Sequence, residues 1–312
     1  MITTNNFRQL NRINDIFFKY LLGSEERKNY TLNFLNTTLD LSGKDMFTDL
    51  FFADKEKMPQ MADGKLSILD ILAITNSGTR VNIEIQVCKD RYMAQRALYY
   101  WAKVYGDQLQ KKESYDKLNK VISIILMDFE FFEQYKDEFH QLYHIKNDGH
   151  PKDILTDHLE MHFIELEKIH YSDIKKLKRS DRWIAYLSKK VNDKDRKELT
   201  VMDPVLKDVM DSENAFVSDM QLWREYEARE KAVRDEKSHL LTARLDGIDE
   251  GIAKGIALEK VNSEKKLKQK TLDIVRKCLV KGMNIETVAD VASIPVSEVL
   301  KVQAELDTHE KQ

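Results

Sequence analysis

Residues 65–86 read "KLSILDILAITNSGTRVNIEIQ", two apolar runs around a polar "NSG", with Asp70, Glu84 and Gln86 set inside the runs. Asn76 and Gly78 supply the chemistry of a tight turn, so the stretch predicts a β-hairpin with strands over 66–75 and 80–88. Folding about that turn sets Thr75 opposite Thr79, Ala73 opposite Val81 and Asp70 opposite Glu84. In that register the two carboxylates have Cβ atoms about 5 Å apart on one face. The two-residue period of a strand adds Gln86 to the same face, and Val81, Ile83, Ile85 and Val87 take the other and bury. A slip of one residue would part the acids, so the reading stands on the register.

Two facing acids repel, and a desolvated carboxylate is costly unless it is paired, protonated or holding a metal. One solution leaves this face in solvent, with the acids paired to lysines elsewhere. The other places a divalent cation between them. Carboxylates from two strands and a backbone carbonyl can take two or three positions of an octahedral Mg²⁺, with Mn²⁺ as the alternative, leaving the rest to water and a phosphate oxygen. Gln86, both donor and acceptor, suits the task of orienting the attacking water or that oxygen.

Outward from the hairpin, residues 12–39 open with helical periodicity: Phe17, Phe18, Leu21 and Leu22 share one side, Gly23 punctuates, and a second short helix follows. "RYMAQRALYYWAKVYGDQLQKK" (91–112) predicts five to six helical turns, with Tyr99 and Trp101 as packing residues. "VISIILMD" (121–128), apolar on both faces, reads as a central strand. "DHLEMHFIELEKI" (157–169) alternates as an edge or flanking strand, and helices follow it, including "DRWIAYLSKK". The order helix–strand–strand–helix–strand predicts an α/β core on a mixed sheet. His140 and His144 have the i, i+4 spacing of a helix face that can bind a metal, but no acid or thiol visibly converges on them, and the favoured reading is two surface histidines.

After about residue 204 the texture changes to Arg, Glu, Lys and Ala. Gly247, Gly251 and Gly255 recur every four residues, each followed by Ile. The intervening Asp, Glu and Lys forbid the membrane packing that such a repeat otherwise allows, so an exposed helix whose Ile stripe meets a partner helix or a second protomer is expected. "NIETVADVASIPVSEVLKV" (284–302) has the length and spacing of a helix-turn-helix, with a small packing cap as the alternative. Three regions result: 1–203, a compact α/β domain; 204–270, a charged helical stretch with a coiled coil as one form it can take; 271–312, a small helical tail.

Composition bounds the rest. The 312 residues are 42% hydrophobic and 33% charged, with four Pro and ten Gly, which disfavours a turn-dense all-β protein. A net charge of −3 confines any nucleic-acid surface to a local patch. Cys88 and Cys278 have no paired spacing, and neither a secretory leader nor an apolar run of membrane length is visible, so a cytoplasmic protein with no membrane partner is expected.

The pattern Asp–hairpin–Glu-x-Gln looks like the PD-(D/E)XK nuclease motif, with Gln in place of the usual Lys. Over most of its length the chain resembles the PD-(D/E)XK nuclease family transposases, the recombination-promoting nuclease (Rpn) group. The resemblance runs through "NDIFFKYLLGSEERKNYTLNFLNTTL", "SILDILAITNSGTRVNIEIQ", "RALYYWAKVYGDQLQKKESYDKLNKVISIILMDF", "HFIELEK" and the glycine-punctuated tail. It implies a restriction-endonuclease-like mixed sheet flanked by helices with a helical C-terminal region. It also implies Mg²⁺-dependent DNA cleavage, in transposition, recombination or phage defence. Asp70, Glu84 and Gln86 would be the catalytic residues. Asp70 and Glu84 would hold the metal, with Asp15, the acid of a "D-x-x-F-K" helix, able to complete the site. Lys19, one turn on from Asp15, and Arg96, Tyr100 and Gln108, which match "R-x-x-x-Y…Q", would contact DNA. The competing reading is a nuclease-fold module without turnover, binding DNA or protein and assembling as a dimer through its C-terminal helix.

Overall fold

The computed structural model describes residues 10–53 and 70–309, so the expected strand positions 66–69 lie outside the described residues. The chain divides into two compact units, residues up to Asp235 and from Glu236 onward.

The first unit is built on a six-stranded mixed sheet. Its strands are β1 (Leu50–Phe52), β2 (Ile71–Thr75), β3 (Arg80–Gln86), β4 (Val121–Met127), β5 (His140–Tyr143) and β8 (Leu159–Glu165), in the order β1-β2-β3-β4-β8-β5. β1, β2 and β3 pair antiparallel, β3, β4 and β8 parallel, and β5 antiparallel to β8. A small separate hairpin joins β6 (Lys146–Asn147) and β7 (His150–Ile154). All seven residues of β4 are buried, as its two-faced apolar run requires. β8 is not an edge: β5 pairs along its outer side.

One face of the sheet carries the larger core. Helices α1 (Asp15–Leu22), α2 (Lys28–Thr38), α4 (Arg182–Leu187), α5 (Asp193–Met202) and α6 (Pro204–Ser218), with the opening turns of α7 (Met220–Val280), bring Phe17, Phe34, Trp183 and Phe216 against Val81, Ile83, Ile124 and Leu126. Asn14 starts α1 as an N-cap, its side chain accepting from the amides of Ile16 and Phe17. The expected break near residue 204 is a helix boundary at Asp203 and Pro204. Leu206, Val209, Phe216, Trp223 and Tyr226 beyond it remain buried in this core.

The other face is covered by α3 (Met93–Gly106), whose Met93 and Ala97 pack on Ile125, Met127 and Phe163, and whose Val104 packs on Leu72 and Val121. α3 has 14 residues, about four turns rather than five or six, because Asp107 ends it and the chain turns back toward β4.

In the second unit, the last turns of α7, α8 (Ile285–Ala292) and α9 (Val296–His309) share a small core of Val275, Val288, Ala289, Val299 and Val302. The small helical tail expected from residue 271 thus begins inside a helix that starts at Met220. Ser293, left-handed at φ 54°, makes the turn between α8 and α9. Among the described residues no helix is long and apolar enough to cross a membrane.

Candidate active site

The hairpin pairs as its turn chemistry predicts: Ala73 faces Val81, Ile71 faces Ile83, and the Thr75 amide donates to the Thr79 carbonyl over 2.9 Å. Gly78 takes φ +83°, a left-handed value that favours glycine, and an added Cβ would lie 2.7 Å from Asn119 Oδ1. Carried one residue past Ile71, this register sets Asp70 against Glu84. Asp70 stands at the mouth of β2, where its Oδ2 accepts from the Ile85 amide at 2.9 Å.

The acid-bearing face of β3 does not lie in solvent, which removes the exposed-face reading. Asn82, Glu84 and Gln86 are 1%, 6% and 9% exposed, on the sheet face against which α3 packs. Burial pushes the Glu84 carboxyl above the ordinary glutamate range, and repulsion from Asp70 adds to it. Hydrogen bonds from Asn82 and Gln86 and the charge of Arg96 offset this only in part. Asn82 Nδ2 donates to Glu84 Oε1 at 2.8 Å, and Gln86 Nε2 lies 3.4 Å from Glu84 Oε2. Asn82 is a site residue that the sequence reading missed, although the same two-residue period that selected Gln86 points to it.

Asp15 and Lys19 meet the site indirectly. Lys19 Nζ lies 3.0 Å from Asp70 Oδ1 and 3.9 Å from Asp15 Oδ2, so the intrahelical pair and the approach to the hairpin coexist. Asp15 Oδ1 accepts from Arg229 Nε of α7 at 2.8 Å. Asp15 is therefore placed between two cations, and Lys19 is the group that touches Asp70.

Arg96 is half-buried and close enough to Glu84 to lower its pKa. Its guanidinium lies 5.7 Å from the Tyr100 ring. Tyr100 is half-buried against the Leu72–Val104–Val121 cluster. Trp101 packs as expected and donates from Nε1 to the Val121 carbonyl, whereas Tyr99, expected to pack, is 54% exposed on the outer side of α3. Gln108 is not brought to the acids. Its amide donates to the Asn119 carbonyl at 3.0 Å and accepts from the Asn119 amide at 2.8 Å, stapling the turn that leads into β4. Because β3 and β4 run parallel, that turn sits at the start of the strands, about 20 Å along β3 from Gln86.

His140 and His144 do not share a helix face, and His140 is not a free surface residue: it opens strand β5, and its Nε2 lies 2.7 Å from His162 Nδ1 on β8. His162 Nε2 in turn lies 2.7 Å from Glu160, which also pairs with Lys120. Burial and the neighbouring His162 push His140 down to about 4. Burial would raise Glu160, but hydrogen bonds from His162 and Lys120 outweigh it and hold the acid at about 2. His144 Nδ1 lies instead beside the Leu159 carbonyl.

Among the described residues no three His, Cys, Asp or Glu side chains are grouped closely enough to cage a metal ion. The donor set at the hairpin nevertheless suits Mg²⁺ or Mn²⁺, which are held through one or two carboxylates with water and substrate phosphate completing the shell. Three buried polar atoms on this face, Asn82 Oδ1, Ser123 Oγ and Arg96 Nε, have no hydrogen-bond partner. With the under-compensated Glu84, they leave room for a bound cation and its waters to improve the local balance.

A family model described as PD-(D/E)XK nuclease family transposase matches residues 12–243, which span the whole sheet, α1 to α6 and the first turns of α7. Neither the search of curated proteins nor that of solved structures returned a match.

Proposed function

The chain belongs to the PD-(D/E)XK nuclease family transposases, and from that premise we propose that it is a Mg²⁺-dependent DNA endonuclease hydrolysing phosphodiester bonds. The setting in this reading is recombination, mobile-element movement or phage defence. The observation that carries it is the register that sets a buried Glu84 against Asp70 across a hairpin whose next residue on that face is Gln86.

Asp70 and Glu84 are the metal ligands in this reading. The divalent ion, when bound, supplies charge neutralisation at the phosphate and a coordinated water of lowered pKa. Anchored on the Ile85 amide, Asp70 is held at fixed height on the hairpin, and Lys19 balances its charge. Asn82 orients Glu84, and the Gln86 amide is placed to orient water or a phosphate oxygen. Arg96 supplies a cation to the DNA phosphate. Asp15 serves at one remove, holding Lys19 rather than the metal.

Incubation of supercoiled plasmid with the wild type in Mg²⁺ is expected to give nicked and linear products, and EDTA to abolish them. Asp70→Ala and Glu84→Ala should each leave product at background. Nicking that persists unchanged in both variants would remove the site, and a wild type that cuts no form of DNA would favour the binding module without turnover.

Self-association through α7 belongs to the same reading. Leu241, Leu245, Ile248 and Ile252 follow a 4-3-4 spacing and are 47–57% exposed. A Cβ added at Gly247, Gly251 or Gly255 would meet open space. Light scattering on the full chain is expected to report a dimer, and Ile248→Lys with Ile252→Lys a monomer. An unchanged mass would remove the stripe from assembly.

A further inference from the structure

Resting on the nuclease reading, we infer that the outer side of α3 is a platform for an unpaired DNA strand, which makes single-stranded or locally opened DNA the substrate form. Tyr92, Arg96, Tyr99 and Lys103 follow one another at 4-3-4 spacing, so they form a single stripe, alternately aromatic and cationic, along the helix. The two rings are 62% and 54% exposed, and the Tyr99 ring is steadied edge-on by Tyr100 at 5.5 Å. Tyr92 sits at the N-cap position of α3, its amide held by the Asp90 side chain at 2.8 Å. No acidic residue occurs between Met93 and Gly106, so the stripe is cationic over its whole helical length.

Arg96, at its second position, is half-buried with its Nε turned inside, next to Ala97, which packs on the sheet face that carries Glu84, so the stripe runs along the flank of α3 beside the proposed site. From Tyr92 to Lys103 the rise is about 16 Å, enough for a few nucleotides of extended strand. Exposed tyrosine faces offer little to a closed duplex, whose bases are already stacked on one another. They offer stacking to a base that has lost its neighbour, and interleaved cations then track the backbone. Sequence pattern alone does not reveal the platform, because aromatic residues at helical spacing usually pack inward. Here Met93, Ala97 and Val104 take the inward side and turn Tyr92 and Tyr99 out.

Fluorescence anisotropy in EDTA reads binding without cleavage, using a labelled mixed-sequence DNA 12-mer as a single strand and as a blunt duplex. Wild type is expected to bind the strand at least 10-fold more tightly than the duplex. Tyr92→Ala with Tyr99→Ala should weaken strand binding roughly 30-fold or more and leave duplex binding within about 2-fold, while Tyr92→Phe with Tyr99→Phe, which keeps the ring faces, stays near wild type. Equal wild-type affinity for strand and duplex, equal losses on both probes, or a Phe pair as weak as the Ala pair would overturn the platform. An RNA 12-mer bound 10-fold more tightly than DNA would overturn the assignment to DNA. Plasmid cleavage in Mg²⁺ is scored separately: cleavage without strand preference removes the platform alone, and strand preference without cleavage removes the nuclease reading alone.

Discussion

Glu84→Gln is expected to leave a protein that melts at a higher temperature than wild type and cuts no DNA. The two effects have one cause. Glu84 is buried beside Asp70, and its proton is held more tightly in the folded chain than in the unfolded one. Between the ordinary glutamate value of 4.5 and its raised folded value, the folded state binds more protons than the unfolded state. Stability attributable to this group is therefore greatest at low pH and falls as pH rises through that window. A glutamine of the same shape carries no charge to desolvate, so the difference in stability between variant and wild type should grow from pH 4.5 toward neutrality. It should also lose the Mg²⁺ response. A ligand that binds only the folded state at 100 times its dissociation constant adds about 2.7 kcal/mol, so wild type should gain several degrees in Mg²⁺ and Glu84→Gln none. Differential scanning fluorimetry from pH 4.5 to 8, with and without Mg²⁺, measures all three. A variant less stable than wild type at neutral pH, or one stabilised equally by Mg²⁺, would contradict the assignment of Glu84.

The hairpin was legible from the chain because everything that sets its register is local. Asn76 and Gly78 fix the turn, and a strict two-residue period then fixes which side chains share a face. What covers that face was not legible. The helix on that sheet face is α3, and whether a helix falls on a face with a polar strand is decided by its own inward residues, Met93, Ala97 and Val104. The same rotation decides that Trp101 packs and Tyr99 does not. His140 misled for a related reason: "FHQLYHIKND" has no clear period, and its strand exists because β8 offers a free edge to pair with. Gln108 matched a motif position, but both ends of its amide are occupied by the Asn119 backbone, a contact that only the turn between α3 and β4 creates.

Where the first unit ends is also a matter of contacts rather than composition. The charged texture begins near residue 204, yet the opening of α7 reaches back to the first helix. The Tyr226 hydroxyl accepts from the Asn11 amide, Glu230 accepts from the side chains of Asn11 and Asn14, and Arg229 holds Asp15. These bonds fix the start of α1, and α1 carries Lys19 to Asp70. The first turns of α7 therefore support the proposed site through two ion pairs.

Lys168→Met is expected to be the most destabilising single change outside the hydrophobic core, by about 3–5 kcal/mol. Lys168 and Glu165 are 2% and 0% exposed and lie 2.8 Å apart. Neither charge has a spare valence: Glu165 Oε1 accepts from the amides of Phe131 and Phe132, and Lys168 Nζ donates to the carbonyls of Phe132 and Tyr135. Removing the ammonium leaves a fully buried carboxylate facing two amides and two carbonyls without a donor. For a unit of more than 200 residues that loss corresponds to roughly 6–20 °C in Tm. Glu165→Gln with Lys168→Met should recover part of it, since no uncompensated charge remains, and the recovery is the coupling that a double-mutant cycle isolates. The consequence reaches the site because the clamped loop follows Asp128, whose amide donates to the Gln86 carbonyl at 3.0 Å. Loosening the clamp is therefore expected to lower cleavage below the melting transition, more than an equally destabilising change in the Val275–Val288–Val299 core of the second unit. Equal losses of activity from the two would mean that the clamp acts on global stability alone.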